Sequence, residues 1–475
     1  MISAIEQEII NYGGIENYLY TQQYKILLRF LTCGNVDDGK STLIGRLLYD
    51  SYQIYDDQLS ILHMDSKKIG TQKNKLDLAL LVDGLQSERA QGITIDVAYR
   101  YFFTKKRKFI IADTPGHAEY TKNMVTGAST SELAILLVDA RKGIQGQTKR
   151  HWFISVLLGI RHIIVAINKM DLIDYNQEIF QKISKEYLEF SKQLSTDIIT
   201  KFIPISALDG DNITTLSTNM KWYKGSTLLE ILENVNINSF SHLEKQELRL
   251  PIQYVNRHSD FRGYSGTIAS GSIHTGQDIN VFPSNTTSSI KRIITFNKDE
   301  KYAQTGEAVT ITLEDDLDIS RGDMITGAHP TVTPVWSALV DIVWMKKEEL
   351  QENQYFNIKI TTKIIKAQIR DIEYQVDVHT LQFQKTKSIP LNGIGLIKLS
   401  FDEPLLLDQY SYYPTTGSMI FIDLLTNETV GAGMVRNPIK CHNKSKDRNN
   451  YSEFELKLHA LMRLHFPHWN IKDLS

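Results

Sequence analysis

The chain has 475 residues, 42% of them hydrophobic and 23% charged, with a formal net charge of −2. This length exceeds one ordinary core and suggests about three domains. The balance is that of a soluble globular protein, and no apolar run approaches the roughly 20 residues a membrane helix needs, so no membrane contact is expected. The near-neutral charge offers no electrostatic argument for a nucleic-acid partner. The first 20 residues carry Glu6, Glu8 and Glu16 and no leading basic stretch, which excludes a signal peptide. Two cysteines, Cys33 and Cys441, argue against a disulfide framework and for a cytoplasmic location.

Residues 1–22 read as a polar arm with room for a short helix. Strand-length apolar runs follow at Ile26–Cys33, Phe109–Ala112, Leu133–Val138, Ile163–Ile167 and Phe202–Ile205. Helical patterns lie between most of them, near 40–49, 118–128, 147–158 and 176–193, with a last one at Thr227–Glu233. Such alternation predicts a parallel sheet covered on both faces over residues 23–240. From Leu250 the texture changes to short runs rich in Val, Ile, Thr and Tyr. Turns are expected at Arg262-Gly263, His274-Thr275-Gly276 and Arg321-Gly322-Asp323. Two β-rich units are expected, at 249–328 and 337–437, joined by a linker at Pro330–Pro334. Residues 438–475 read as a charged linker and a final helix capped by Ser452.

The strongest motif is Gly34-Asn35-Val36-Asp37-Asp38-Gly39-Lys40-Ser41, between a predicted strand and a predicted helix. Glycines there let the backbone wrap phosphates, and the helix N-terminus favours negative charge. Lys40 supplies a cation to the β and γ phosphates, and the Ser41 hydroxyl suits Mg²⁺. Asp113-Thr114-Pro115-Gly116-His117 leaves the next strand. Asp113 is placed to hold Mg²⁺ through water, Gly116 to offer an amide to the γ-phosphate, and His117 to orient an attacking water.

Two further segments choose the base. In Asn168-Lys169-Met170-Asp171, the Asp171 carboxylate suits the paired N1 and N2 hydrogens of guanine, which adenine lacks. Asn168 is expected to bond the loop and the base edge, and the Lys169 stem to cover one face of the ring. Ser206-Ala207-Leu208 offers a backbone amide to the guanine O6. Glu88–Ile95 lies between the phosphate loop and Asp113. Its Thr94 would complete the Mg²⁺ shell while a γ-phosphate is present and release it afterwards. The reading is a GTP- and Mg²⁺-binding GTPase with Lys40, Thr94 and His117 as its catalytic residues.

Together these elements resemble the GTPase domain of the elongation factor Tu and elongation factor 1-alpha superfamily. The expected fold is an α/β P-loop GTPase domain followed by two β-barrel domains, a translation-factor-like architecture. Longer strings resemble one branch more closely, the large GTP-binding subunit family of bacterial ATP sulfurylase. They are Leu76–Gln86, Gly92–Phe102, Phe261–Gly271, Ile319–Asp323, Leu391–Ile397 and Leu464–Trp469, together with the adjacent Asp37 and Asp38. The resemblance implies a small catalytic partner subunit that makes adenosine 5′-phosphosulfate and pyrophosphate from ATP and sulfate, driven by GTP hydrolysis, in sulfate assimilation toward cysteine. No second nucleotide motif for ATP appears in this chain. Ala90 and Ala118 stand where the family usually carries glutamate. The alternative reading is a translation-factor-type GTPase that delivers aminoacyl-tRNA. His442, His459, His465 and His468 lack the cysteine or carboxylate spacing of a zinc site.

Overall fold

The computed structural model describes residues 10, 13–17, 25–51, 62–64, 66, 76–82, 94–192, 197–237, 246–258, 261–296 and 298–440. The expected C-terminal helix, most of the N-terminal arm, Ala90, Cys441 and the four C-terminal histidines lie outside them.

Six strands form the first sheet: β1 (Leu27–Cys33), β2 (Ala98–Phe103), β3 (Lys108–Asp113), β4 (Leu133–Asp139), β5 (His162–Asn168) and β6 (Ile199–Pro204). Their order is β2-β3-β1-β4-β5-β6. Five run parallel, as the alternating pattern predicts, and β2 pairs antiparallel with β3. The expectation of an all-parallel sheet missed β2. Its sequence, AYRYFF, is half-exposed, and Arg100 breaks the unbroken apolar run that marks the central strands. Among the described residues, five named α-helices accompany the sheet: α1 (Lys40–Asp50), α2 (Thr121–Ser129), α3 (Gly146–Leu157), α4 (Gln177–Ser191) and α5 (Leu228–Asn234). Alternate residues of each strand feed opposite faces. Leu28, Phe30, Ile135 and Ile164 pack with Leu43 of α1 on one side. Leu31, Leu136 and Val165 pack with Met124, Trp152 and Tyr187 on the other. Thr227 caps α5, its hydroxyl taking the Glu230 amide while Glu230 takes the Thr227 amide.

Two closed six-strand barrels follow. In the first, the ring runs Asp278–Phe282, Met324–Gly327, Arg249–His258, Phe261–Thr267, Ala308–Leu313 and Thr286–Ile294, and closes back on the first strand. In the second it runs Tyr355–Ile360, Ser418–Ile422, Thr429–Ile439, Val335–Trp344, Ile394–Leu405 and Lys363–Val376. Closure removes the unpaired edges that an open sheet would expose. The turn expected at Arg262-Gly263 is instead inside a strand. The glycine there reflects crowding, since a Cβ would fall 2.7 Å from Thr310 Cγ2 of the paired strand.

The second barrel shares a core with the first sheet's domain. Val343, Val376, Leu381, Ile394 and Met434 join the layer that contains Met124 and Trp152. Polar bonds frame the contact: Asn392 Nδ2 donates to the Ala118 carbonyl at 2.7 Å and Tyr410 Oη to the Leu158 carbonyl at 2.9 Å. The barrels meet through a buried two-pronged ion pair, Arg249 to Asp408, with both bonds at 3.0 Å. No described helix is long and apolar enough to cross a membrane.

Candidate nucleotide site

The loops leaving the carboxyl ends of β1, β3, β4 and β5 meet at one edge of the sheet, where open α/β sheets bind ligands. The first, Gly34–Gly39, turns β1 into α1. Its bends need positive φ, 147° at Gly34, 66° at Asp37 and 93° at Gly39. A Cβ on Gly39 would also fall 2.4 Å from Asn168 Nδ2, so no larger residue fits. The loop ties itself down: the Asn35 amide donates to Asp38 Oδ2 at 2.7 Å and the Val36 amide to Asn35 Oδ1 at 2.8 Å. Lys40 opens α1 from inside this ring and donates to the Asn35 carbonyl at 2.8 Å. Burial pushes its pKa down, against the pull of Asp38 and Asp113. A phosphate in the ring would restore the charge's solvation.

The Asp113–His117 segment lies directly on this loop. A Cβ on Gly116 would sit 2.6 Å from Lys40 Nζ and 2.8 Å from the Val36 nitrogen. Thr114 donates to the Thr32 carbonyl at 2.7 Å, and Thr32 donates to Asp113 Oδ1 at 3.3 Å, holding buried Thr114, Pro115 and Asp113 in place. Ser41 Oγ and Thr94 Oγ1 are 3.4 Å apart. Neighbouring oxygens around a six-coordinate magnesium are roughly 3 Å apart. The donors are all oxygen, which suits that hard cation. The Ser41 and Thr94 hydroxyls therefore fit Mg²⁺. His117 caps the turn Ala118–Tyr120 by accepting the Glu119 amide at Nδ1, at 3.3 Å. In that arrangement the proton sits on Nε2, so the half-exposed ring meets a water as a donor.

The base loop is assembled by long-range bonds. Asn168 Nδ2 donates to the Asp38 carbonyl at 2.8 Å, and Asn168 Oδ1 accepts the Ala207 amide at 2.9 Å. One side chain thus ties three loops, with the Ala207 amide among its partners. Lys169, at φ 63°, folds back to bond the Asp37 carbonyl. Met170 is fully buried beneath it. Asp171 Oδ1 accepts the Ser206 hydroxyl at 2.7 Å, which orients the carboxylate. The Leu208 carbonyl accepts a bond from Arg46 of α1.

Three supporting residues escaped the sequence reading. The Gly34 amide donates to Nδ1 of His151 on α3, at 3.2 Å. Burial, with the Lys40 charge, holds that ring's pKa down at about 3, so it stays neutral. Gln145 accepts a bond from Asn35 Nδ2. Asp139, the last residue of β4, is wholly buried and carries both Arg141 and Lys169. Its position at the carboxyl end of a parallel strand was the signal available for it; His151 sat within a predicted helix with nothing to mark it. Cys33 is buried behind the loop, its thiol pushed up by burial to about 12, an inert core residue. Among the described residues no group of three or more His, Cys, Asp or Glu could hold a metal by itself.

The fold and site define a guanine-nucleotide-binding protein of the translation-factor type. Residues 25–236 match the family model described as the elongation factor Tu GTP binding domain, and residues 337–436 match the GTP-eEF1A C-terminal domain-like model. The chain is 58% identical over 475 residues to "Sulfate adenylyltransferase subunit 1" of Sodalis glossinidius, covering all of this chain and 99% of that one. It is 56% identical to the protein of that name in Yersinia enterocolitica, covering 99% of this chain and 98% of the other. A solved structure of sup35 complexed with GDP is 20% identical, covering 88% of this chain and 95% of that one at a TM-score of 0.40. This chain belongs to the sulfate adenylyltransferase subunit 1 family.

Proposed function

We propose that this chain is the regulatory GTPase of a sulfate adenylyltransferase. In this reading, GTP hydrolysis drives a small catalytic partner subunit to form adenosine 5′-phosphosulfate and pyrophosphate from ATP and sulfate. One observation carries it: a nucleotide site with phosphate-, magnesium- and guanine-suited groups on a chain 58% identical, end to end, to a named subunit 1. The words "subunit 1" in that name support a partner.

The chain's own residues act by position and charge. Lys40 and the loop amides neutralise charge that spreads over the transferring phosphoryl oxygens. Ser41 and Thr94 would hold a magnesium ion, which would supply further charge neutralisation when bound. His117 donates from Nε2 to orient the attacking water. Gly116 touches the phosphate loop and Ala118 touches Asn392 of the second barrel. A shift of this segment on phosphate loss would therefore reach the barrel, a route by which a bound partner could sense the nucleotide.

The test is GTP hydrolysis by the purified chain, alone and with the small subunit, ATP and sulfate. Strong stimulation, with adenosine phosphosulfate formed in proportion, is the expected result. Turnover that ignores the mixture and responds to ribosomes or tRNA would replace this reading with a translation factor.

A further inference from the structure

Two cations flank the base-selecting carboxylate, and neither pairs with it. Lys169 is two residues from Asp171, and Arg141 is close enough for the Asp171 charge to act on it. Yet among the described residues no cation lies within ion-pair distance of Asp171, whose bond is to the Ser206 hydroxyl. Both cations are instead drawn to Asp139. Arg141 donates to it three times, from its amide and Nε at 3.0 Å and from Nη2 at 2.7 Å. Lys169 Nζ lies 3.1 Å from Oδ2. Asp139 is fully buried and sits opposite Asn168 in the β4–β5 register, so it cannot drift. Burial works against its charge, but these bonds outweigh it and hold its pKa at about 2.

We infer that Asp139 is the positioning residue for guanine selection: it holds Arg141 and Lys169 off Asp171, so that the Asp171 carboxylate stays open to the base. The physical reason is competition. An Arg141 guanidinium released from Asp139 would find in Asp171 a nearby carboxylate suited to the same two-pronged bond. That pair would occupy the oxygens meant for the guanine N1 and N2 hydrogens. Fixing Lys169 on Asp139 also stretches its stem beside the base loop. The inference rests on the guanine-nucleotide reading above, and goes further by assigning selectivity to a residue that does not touch the base.

The experiment is binding of a fluorescent GDP analogue to the full chain, with competition by GTP, XTP and ATP. Asp139→Asn keeps the shape and removes the charge. It should weaken guanine-nucleotide binding at least about tenfold. Adding Arg141→Met should recover most of that loss, because Arg141 is the one of the two released cations that can make a two-pronged bond to Asp171. A merely structural Asp139 gives no such recovery, so a double variant as weak as the single one overturns the proposal, as does a single variant that binds like the parent. Arg141→Met alone is a surface change that should leave binding within about threefold. A tenfold loss there would mean that Arg141 serves the nucleotide directly, which also overturns it, and this arm stands even if Asp139→Asn does not fold. If the parent chain itself failed to bind guanine nucleotides, the site reading would fall first, an outcome distinct from any change in the variants.

Discussion

The two halves of the nucleotide site are built differently. The phosphate half is held by backbone: positive φ at Gly34, Asp37 and Gly39, and amides bonded within one loop. The base half is held by side chains that reach across the sequence, from Asn168 to Asp38 and Ala207, from Asp171 to Ser206, and from Lys169 to Asp139. A local loop folds with its own helix and depends on small residues. A loop assembled from distant strands depends on charged and amide groups that are each satisfied elsewhere. The first should therefore fail sterically and the second electrostatically.

The largest expected effect is in the base half. Asp171→Asn replaces a carboxylate that would accept two guanine hydrogens. At about 1.5–3 kcal/mol per charge-assisted bond, GTP affinity should fall on the order of 100-fold or more, with xanthosine triphosphate gaining ground. Competition binding with both nucleotides checks this, and retained GTP preference would remove Asp171 from the base site.

A smaller and differently shaped effect is expected from Gly116→Ala. The added methyl meets Lys40 Nζ and the backbone of Asn35 and Val36 at under 3 Å, and backbone cannot yield cheaply. Hydrolysis should drop roughly 10- to 100-fold, a loss of about 1.4–2.8 kcal/mol in transition-state stabilisation, while guanine-over-adenine selection is kept. Single-turnover hydrolysis beside competition binding separates the two; a lost base preference would erase the distinction between the halves.

The smallest effect at neutral pH concerns the support beneath the phosphate loop. His151 is buried neutral, its pKa lowered from 6.5 to about 3. The unfolded chain takes up this proton first, so the site's stability is complete above about pH 6.5 and is lost as pH falls toward 3. The slope from this one group is at most about 1.4 kcal/mol per pH unit. His151→Gln, which keeps an acceptor for the Gly34 amide but does not titrate, should flatten the acid limb between pH 6 and 4. Denaturant midpoints at several pH values report it, and an unchanged acid limb would place the sensitivity elsewhere, with partly buried His162 the next group to examine.

What was legible in the sequence was what short-range chemistry dictates. Apolar runs of strand length marked five of the six strands of the first sheet. Gly-Asn-Val-Asp-Asp-Gly-Lys-Ser spelled out a phosphate loop because its geometry is local. The motif order placed Asp113 and Asn168 at strand ends. The antiparallel strand Ala98–Phe103 was not legible as a run, since an edge strand tolerates a charge such as Arg100 and half-exposed tyrosines where a central strand does not. The close fit of Gly263 against Thr310 looked like a turn because glycine alone cannot distinguish crowding from bending.

Tertiary structure decided the rest. Asp139, His151 and Asn392 are ordinary residues in their own segments, and the Lys169, Gly34 and Ala118 groups they hold lie 30 or more positions away. Only the closure of the sheet brings Asp139 beside Asn168, and only the seating of the second barrel brings Asn392 to Ala118. Sequence by itself determined where the Gly34–Ser41 turn falls and where the loops after Asp113 and Asn168 begin, because strand ends and tight turns are specified by neighbours in the chain. Which groups hold those loops in register was decided by packing, because a buried charge or an amide takes its partner from whatever the fold sets within about 3 Å of it.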